Sequence, residues 1–182
     1  MRIIGGERRG KKLLAVPGMK TRPTADRVKE TLFNIIQMQV KGAKVLDLFS
    51  GTGALGLEAL SRGAARCTFV DSAKAALEVC QKNICGCGFE EKSEVIFWDI
   101  SRSLTRLEHL KGTLDLIFLD PPYKKGLADK ALEHIAASQL PAKKALIVVE
   151  HAAGDPPNLL PGFTLKETRK YGTTELSFIY SA

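Results

Sequence analysis

From Ala43 onward the chain alternates between short apolar runs and amphipathic stretches, and this constrains the fold more than any other feature. The runs Ala43–Leu48, Cys67–Val70, Glu94–Phe97, Leu114–Leu119 and Ala145–Val149 have the length of strands buried on both faces. Helical stretches over about 54–62, 73–84, 101–110 and 126–138 fill the gaps between them. Strand and helix in strict alternation require right-handed crossovers. The expectation is an α/β, doubly wound, Rossmann-like sheet, mostly parallel, with helices on both faces. Past Pro161 the pattern changes. Phe163–Lys170 and Thr174–Tyr180, separated by Tyr171-Gly172-Thr173, predict a C-terminal antiparallel hairpin.

Ahead of the alternation, residues 2–14 predict two short strands around Glu7-Arg8-Arg9-Gly10, a basic β-hairpin. Thr24 is expected to cap a helix over about 25–39, with Val28, Leu32, Phe33, Ile35 and Ile36 as its apolar stripe. With 182 residues the whole chain reads as one domain. Residues 1–40 form its basic hairpin and helix, and residues 41–182 its sheet. The net charge is +7, and its placement is uneven. Residues 1–44 hold eleven Lys or Arg against three acids, while the remainder carries one net negative charge. A concentrated basic segment suits phosphate binding, because each neutralised phosphate releases counterions. A solvated basic face is the plainer alternative.

Several classes are excluded. No run approaches the roughly 18–20 apolar residues of a bilayer span, so no membrane partner is expected. Met1-Arg2-Ile3-Ile4-Gly5-Gly6 turns polar at once and offers no signal-peptide core, which points to a cytoplasmic protein. Cys67, Cys80, Cys85 and Cys87 have no second pair or nearby histidine to complete a zinc site. They are expected to be buried free thiols, and no metal is expected. A monomer is expected, although nothing in the sequence fixes the oligomeric state.

The segment Leu46-Asp47-Leu48-Phe49-Ser50-Gly51-Thr52-Gly53-Ala54-Leu55-Gly56 places G-x-G-x-x-G between a strand and a helix. Glycines there allow a tight turn and let a ligand approach the backbone and the helix N-terminus. Phe49, Ser50, Gly51 and Gly53 are thus cofactor-binding candidates. Asp71 ends the second strand, where a carboxylate accepts from ribose hydroxyls. Asp99, after the third strand, is placed to accept from an adenine amino group. Such parts serve a dinucleotide or S-adenosylmethionine. Asp47 separates the two, since a pyrophosphate approaching the turn meets its negative charge, whereas a sulfonium is attracted to it.

Leu114–Leu119 leads into Asp120-Pro121-Pro122-Tyr123. In a doubly wound sheet the fourth strand lies beside the first, so this loop faces the reactive end of the cofactor. An exocyclic amine on a nucleobase is a poor nucleophile, because its lone pair is delocalised into the ring. Asp120 accepts one amine hydrogen and the Pro121 carbonyl the other, while Pro121 and Pro122 stiffen the loop. The nitrogen then pyramidalises toward the methyl donor. Tyr123 stacks on the base once it has left its helix.

These motifs, with Met1–Gly6, Arg22-Pro23-Thr24-Ala25-Asp26-Arg27-Val28-Lys29-Glu30-Thr31-Leu32-Phe33-Asn34 and Tyr171-Gly172, resemble the bacterial 16S ribosomal RNA guanine-N2 methyltransferases of the small, single-domain type. The resemblance covers nearly the whole chain. It implies a class I methyltransferase fold with S-adenosyl-L-methionine as cofactor. The glycine turn and Asp47 lie near the methionine moiety, Asp71 at ribose, Asp99 near adenine, and Asp120 with Tyr123 at the target base. It also implies a guanine of 16S ribosomal RNA as target, met in the assembled 30S subunit. Arg8, Arg9, Lys11 and Lys12 then read as the RNA-phosphate hairpin. Arg22, Thr24 and Arg27 stay open between RNA, the cofactor pocket and a purely structural helix start. Three other readings remain: an adenine-N6 methyltransferase of DNA or RNA, a nucleotide-dependent oxidoreductase on the same sheet, and a noncatalytic RNA-binding or assembly module.

Overall fold

The computed structural model describes residues 1–16, 23–122 and 126–182, with the side chains of residues 23–25 left aside. Its helices are α1 (Pro23–Ile35), α2 (Gln37–Val40), α3 (Ala54–Ser61), α4 (Lys74–Cys87) and α5 (Leu127–Ser138). Its strands are β1 (Lys44–Leu48), β2 (Arg66–Asp71), β3 (Ser93–Phe97), β4 (Leu114–Leu119), β5 (Pro141–Ala152), β6 (Phe163–Tyr171) and β7 (Thr174–Ser181). They form one sheet in the order β3-β2-β1-β4-β5-β7-β6. β1 to β5 are mutually parallel, and β7 runs antiparallel to both β5 and β6. The doubly wound sheet with a reversed strand near one edge is as the sequence predicts.

Side chains alternating across the strands feed two cores. Val45, Leu116 and Phe118 pack with Phe33, Leu57, Phe69 and Phe178 under α1, α3 and α4. Leu46, Leu48, Ile117 and Leu119 pack with Leu104, Leu107, Leu132 and Ile135 on the other face, under α5. β4 lies between β1 and β5 and is covered on both faces, which is why its sequence is almost unbroken apolar. Its one exposed residue, Asp115, accepts the Lys44 backbone N–H at 2.9 Å. Among the described residues no helix is long and apolar enough to cross a membrane.

Four local expectations need correction. The stretch expected to be a helix over 101–110 holds only a 3₁₀ segment, Thr105–Leu110. Ser101 Oγ donates to Asp99 at 2.6 Å, and the Ser103 and Thr105 hydroxyls bond each other at 3.1 Å. These local bonds compete with helical ones. The helix expected over 25–39 breaks at Ile36, which leaves helical dihedrals so that Ile36 and Val40 reach the same core as Phe33. α1 begins at Pro23, a residue suited to a first helical position, so Thr24 lies inside the helix and is not its cap.

The basic hairpin has a single antiparallel bridge, Arg2 with Lys12, rather than two strands. Part of its backbone is satisfied across the hairpin, where Ile3 N–H donates to the Lys11 carbonyl at 2.9 Å and Leu13 N–H to the Met1 carbonyl at 3.1 Å, and part by α3. Ile4 and Gly5 N–H donate to the Glu58 carboxylate, both at 2.8 Å. Glu7 N–H donates to the Ser61 carbonyl at 2.8 Å, and Arg8 N–H to Ser61 Oγ at 3.0 Å. Ile3 and Leu13 meanwhile enter the α1–α3–α4 core.

Candidate active site

The carboxyl ends of β1, β2 and β4 gather the sequence candidates along one edge of the sheet. β1 runs into Phe49, which takes a left-handed φ of 63°, uncommon for a bulky residue. Gly51 (φ 54°) and Gly53 (φ 80°) complete the turn into α3. A Cβ on Gly53 would stand 2.7 Å from Cys80 Sγ. One on Gly56 would stand 2.3 Å from the Phe69 ring and 2.6 Å from Cys67 Sγ. Glycine therefore lets α3 press directly on β2 and α4, with Cys67 and Cys80 filling the underside. Cys87 is also buried, but Cys85 is exposed, which corrects the expectation for that thiol.

Asp47 is 1% exposed, and its Oδ2 accepts the Gly56 backbone N–H at 2.9 Å. It thus satisfies one of the free donors in the first turn of α3. Burial pushes its carboxyl up to about 7, opposed by the Gly56 bond and aided by the Asp71 charge. A raised folded-state pKa contributes stability below about pH 4 that is lost as pH rises toward 7. Asp47→Asn keeps an acceptor for Gly56 without the buried charge. Its melting temperature is expected to exceed that of the parent by about 3–6 °C at pH 8 and to converge with it near pH 4, below the unfolded pKa. Calorimetric melts at both pH values check this.

Asp71 has a structural duty as well. Its Oδ2 accepts Gly51 N–H and its Oδ1 accepts Ala73 N–H, each at 2.8 Å, so it braces the glycine turn. Asp99 is half exposed and held by Ser101 N–H at 3.0 Å and Ser101 Oγ at 2.6 Å. Those bonds depress its carboxyl below the ordinary range. Both retain free lone pairs for a ligand.

Next to this turn lies a cavity of about 440 Å³. Its walls are Val28, Lys29 and Leu32 of α1, Ala54 and Leu55 of α3, Met1, and the β6–β7 turn from Tyr171 to Thr174. Asp120 and Glu150 are its acids. Asp120 is open to the cavity yet surrounded by protein. Desolvation, then the charges of Glu150 and Asp47, hold its carboxyl well above the ordinary range. Pro121 and Pro122 line a smaller cleft that Glu150 also lines. Tyr123 and Arg22 lie outside the described residues.

Lys29 is only 5% exposed; its Nζ sits 3.3 Å from Glu58 and donates to the Arg2 carbonyl at 2.6 Å. Desolvation lowers its ammonium pKa, opposed by the Glu58 charge. Glu58, fully buried, also takes Arg62 Nε at 2.8 Å. This ion cluster welds the N-terminal segment to α1 and α3. Of the basic candidates, Arg9, Lys11, Lys12 and Arg27 are exposed. Arg8 is partly committed, because its Nε donates to the Cys87 carbonyl at 2.6 Å and its guanidinium lies over Phe89. Asn83 ties this arm to the glycine turn, with Nδ2 donating to the Leu14 and Thr52 carbonyls.

Sequence reasoning missed Glu150, Lys29 and Glu58. Glu150 follows an apolar strand with no motif around it. Glu58 did leave a signal, a charge inside the apolar helix Leu57–Leu60.

The residues fit a small cationic ligand. The Cβ side of Gly51 is open, with only the Phe49 carbonyl at 4.0 Å. Ser50 Oγ is buried, with no hydrogen-bond partner among the described residues. Asp47, Asp71 and Asp120 gather three carboxyl groups at this edge, and a bound cation favours their ionised forms.

Comparison with known proteins agrees with this geometry. Residues 1–180 match a family described as conserved hypothetical protein 95. Ribosomal RNA small subunit methyltransferase D of Escherichia coli K12 is 37% identical over 150 residues, covering 82% of this chain and 74% of that protein. The Haemophilus influenzae protein of the same name is 34% identical over 173 residues, covering 94% and 89%. The solved structure of yhhF from Escherichia coli, provisionally assigned as a methyltransferase, superposes with a TM-score of 0.87 at 32% identity. It covers 100% of this chain and 97% of that one.

Proposed function

The chain belongs to the conserved hypothetical protein 95 family, with its small-subunit ribosomal RNA methyltransferases, and from that premise we propose that it transfers a methyl group from S-adenosylmethionine to the 2-amino group of a guanine in 16S ribosomal RNA. The sheet is that of a class I methyltransferase. The observation that carries the reading is Asp120 at the carboxyl end of β4, opening into one cavity with the start of α3.

When bound, the cofactor supplies an electrophilic sulfonium methyl. The chain's own residues do the rest. The glycine turn and Ser50 receive the amino-acid end, Asp71 the ribose and Asp99 the adenine. Asp120 accepts a hydrogen of the target amine and holds its lone pair along the line of attack; alignment of this kind supplies much of the rate. The Pro121 carbonyl is the second acceptor, and Tyr123 the stacking ring. The amine proton leaves after transfer, so Asp120 need not act as a full general base.

Arg9, Lys11, Lys12 and Arg27 give the phosphate contacts, with Arg8 contributing both structure and charge, and Arg22 is assigned the same role from its place in the sequence. The Glu58 cluster makes the basic arm a fixed feature of the binding face. Arg9→Glu with Lys12→Glu is expected to weaken substrate binding at least tenfold in moderate salt. The log–log salt slope should become shallower by about one per lost contact. Filter binding across a salt series measures both quantities.

The test of the function is radiolabelled methyl transfer to unmodified 30S particles, free 16S RNA and DNA, followed by nucleoside analysis. N2-methylguanosine, formed best on assembled particles, is the expected product. Methyladenine in DNA would overturn the reading.

A further inference from the structure

The β4–β5 register pairs Phe118 with Val148 and Leu119 with Val149, so the next step along the two strands sets Asp120 beside Glu150. Neighbouring strands lie about 4.8 Å apart. In the antiparallel register Glu150 stands opposite Leu176, which lines the same cavity, so Glu150 shares the cavity face. Two carboxyl groups thus stand side by side at the cavity floor. Such a floor offers acceptor oxygens to N–H donors.

Purines differ at that point. The Watson–Crick edge of guanine offers N1–H beside the 2-amino group, two donors in a row. Adenine offers its amino group beside N1, a bare acceptor. Two neighbouring carboxylates match the first edge, and against the second they set one lone pair upon another. We propose that Glu150 is a specificity-determining residue that accepts the N1–H of the target guanine while Asp120 accepts a hydrogen of its 2-amino group. This rests on the reading above that a ribosomal RNA purine amine enters the cavity. Burial first, and then the Glu150 charge, raise the Asp120 carboxyl, and N–H donors entering between the two carboxyls oppose both.

2,6-Diaminopurine separates the two contacts, because it keeps the 2-amino group but has a bare N1. The experiment uses 30S particles reconstituted with 16S RNA carrying guanine or 2,6-diaminopurine at the mapped target nucleotide. The parent enzyme should favour guanine by about 100-fold in kcat/KM. Glu150→Gln, whose amide N–H₂ donates to a bare N1, should shrink that preference to about tenfold or less, with an absolute gain on diaminopurine. Particle affinity measured with S-adenosylhomocysteine bound should shift in the same sense. Unchanged affinity of the variant for S-adenosylhomocysteine alone shows that it is folded. A parent preference near one, or equal loss on both particles in the variant, overturns the proposal. Methyl transfer to neither particle overturns the assigned substrate and this proposal with it, and is distinct from transfer without discrimination.

Discussion

Alanine at position 120 is expected to slow methyl transfer about 10³-fold, within the range seen when a positioned proton acceptor is removed, while affinity for S-adenosylmethionine stays within a few-fold. Asp120 lines the cavity at the end of β4 and is not one of the residues assigned to the cofactor, so the loss should fall on kcat. Single-turnover rates at saturating cofactor isolate the chemical step, and calorimetry gives the affinity. Asp120→Asn should fall between alanine and the parent, because its amide keeps one acceptor but turns a donor toward the amine. The accepting form is the carboxylate, and its pKa is raised in the ligand-free protein. Parent kcat/KM should therefore rise with pH through that raised pKa and level off above it, and the variants should lack that limb. Near-normal turnover by Asp120→Ala would refute the role given to this carboxyl.

The second large effect concerns stability. Glu58 accepts from Ile4 N–H, Gly5 N–H and Arg62 Nε, and pairs with Lys29, and its own carboxylate is fully buried. Glu58→Ala leaves the Lys29 charge buried and unpaired and two backbone donors unsatisfied. The expected cost is about 3–5 kcal/mol, or a fall in melting temperature of about 6–20 °C for a chain of this size. Amide hydrogen exchange should show Ile4 and Gly5 losing protection first. Lys29→Met in the Glu58→Leu background should recover part of the loss, because it removes the stranded charge. A Glu58→Ala protein melting within 2 °C of the parent, roughly 1 kcal/mol at most, would show that the cluster contributes little.

These two residues show what was legible in the sequence. Asp120 was legible because local chemistry marks it: an acid and two prolines closing an apolar run that only a doubly covered strand accommodates. The bounds expected for β4 match those observed, and those of β1, β2, β3 and the final hairpin agree within a residue or two. Glu58 and Glu150 were not legible, because their meaning depends on partners 26 to 54 residues away in sequence. The same reason cut short the expected N-terminal strands: Ile3 and Leu13 still donate across the hairpin, but the Ile4, Gly5, Glu7 and Arg8 donors turn to Glu58 and Ser61. The failed helix after Asp99 is a local miss: serine and threonine hydroxyls at positions 101, 103 and 105 were available as warning.

β7 follows β6 along the chain yet lies between β5 and β6 in the sheet. During synthesis, β6 thus emerges with no strand to join, and the flank of β5 stays bare until Thr174–Ser181 threads the gap. Because the turn joining the two strands walls the cavity, that cavity stays unfinished in a nascent chain until the insertion is made.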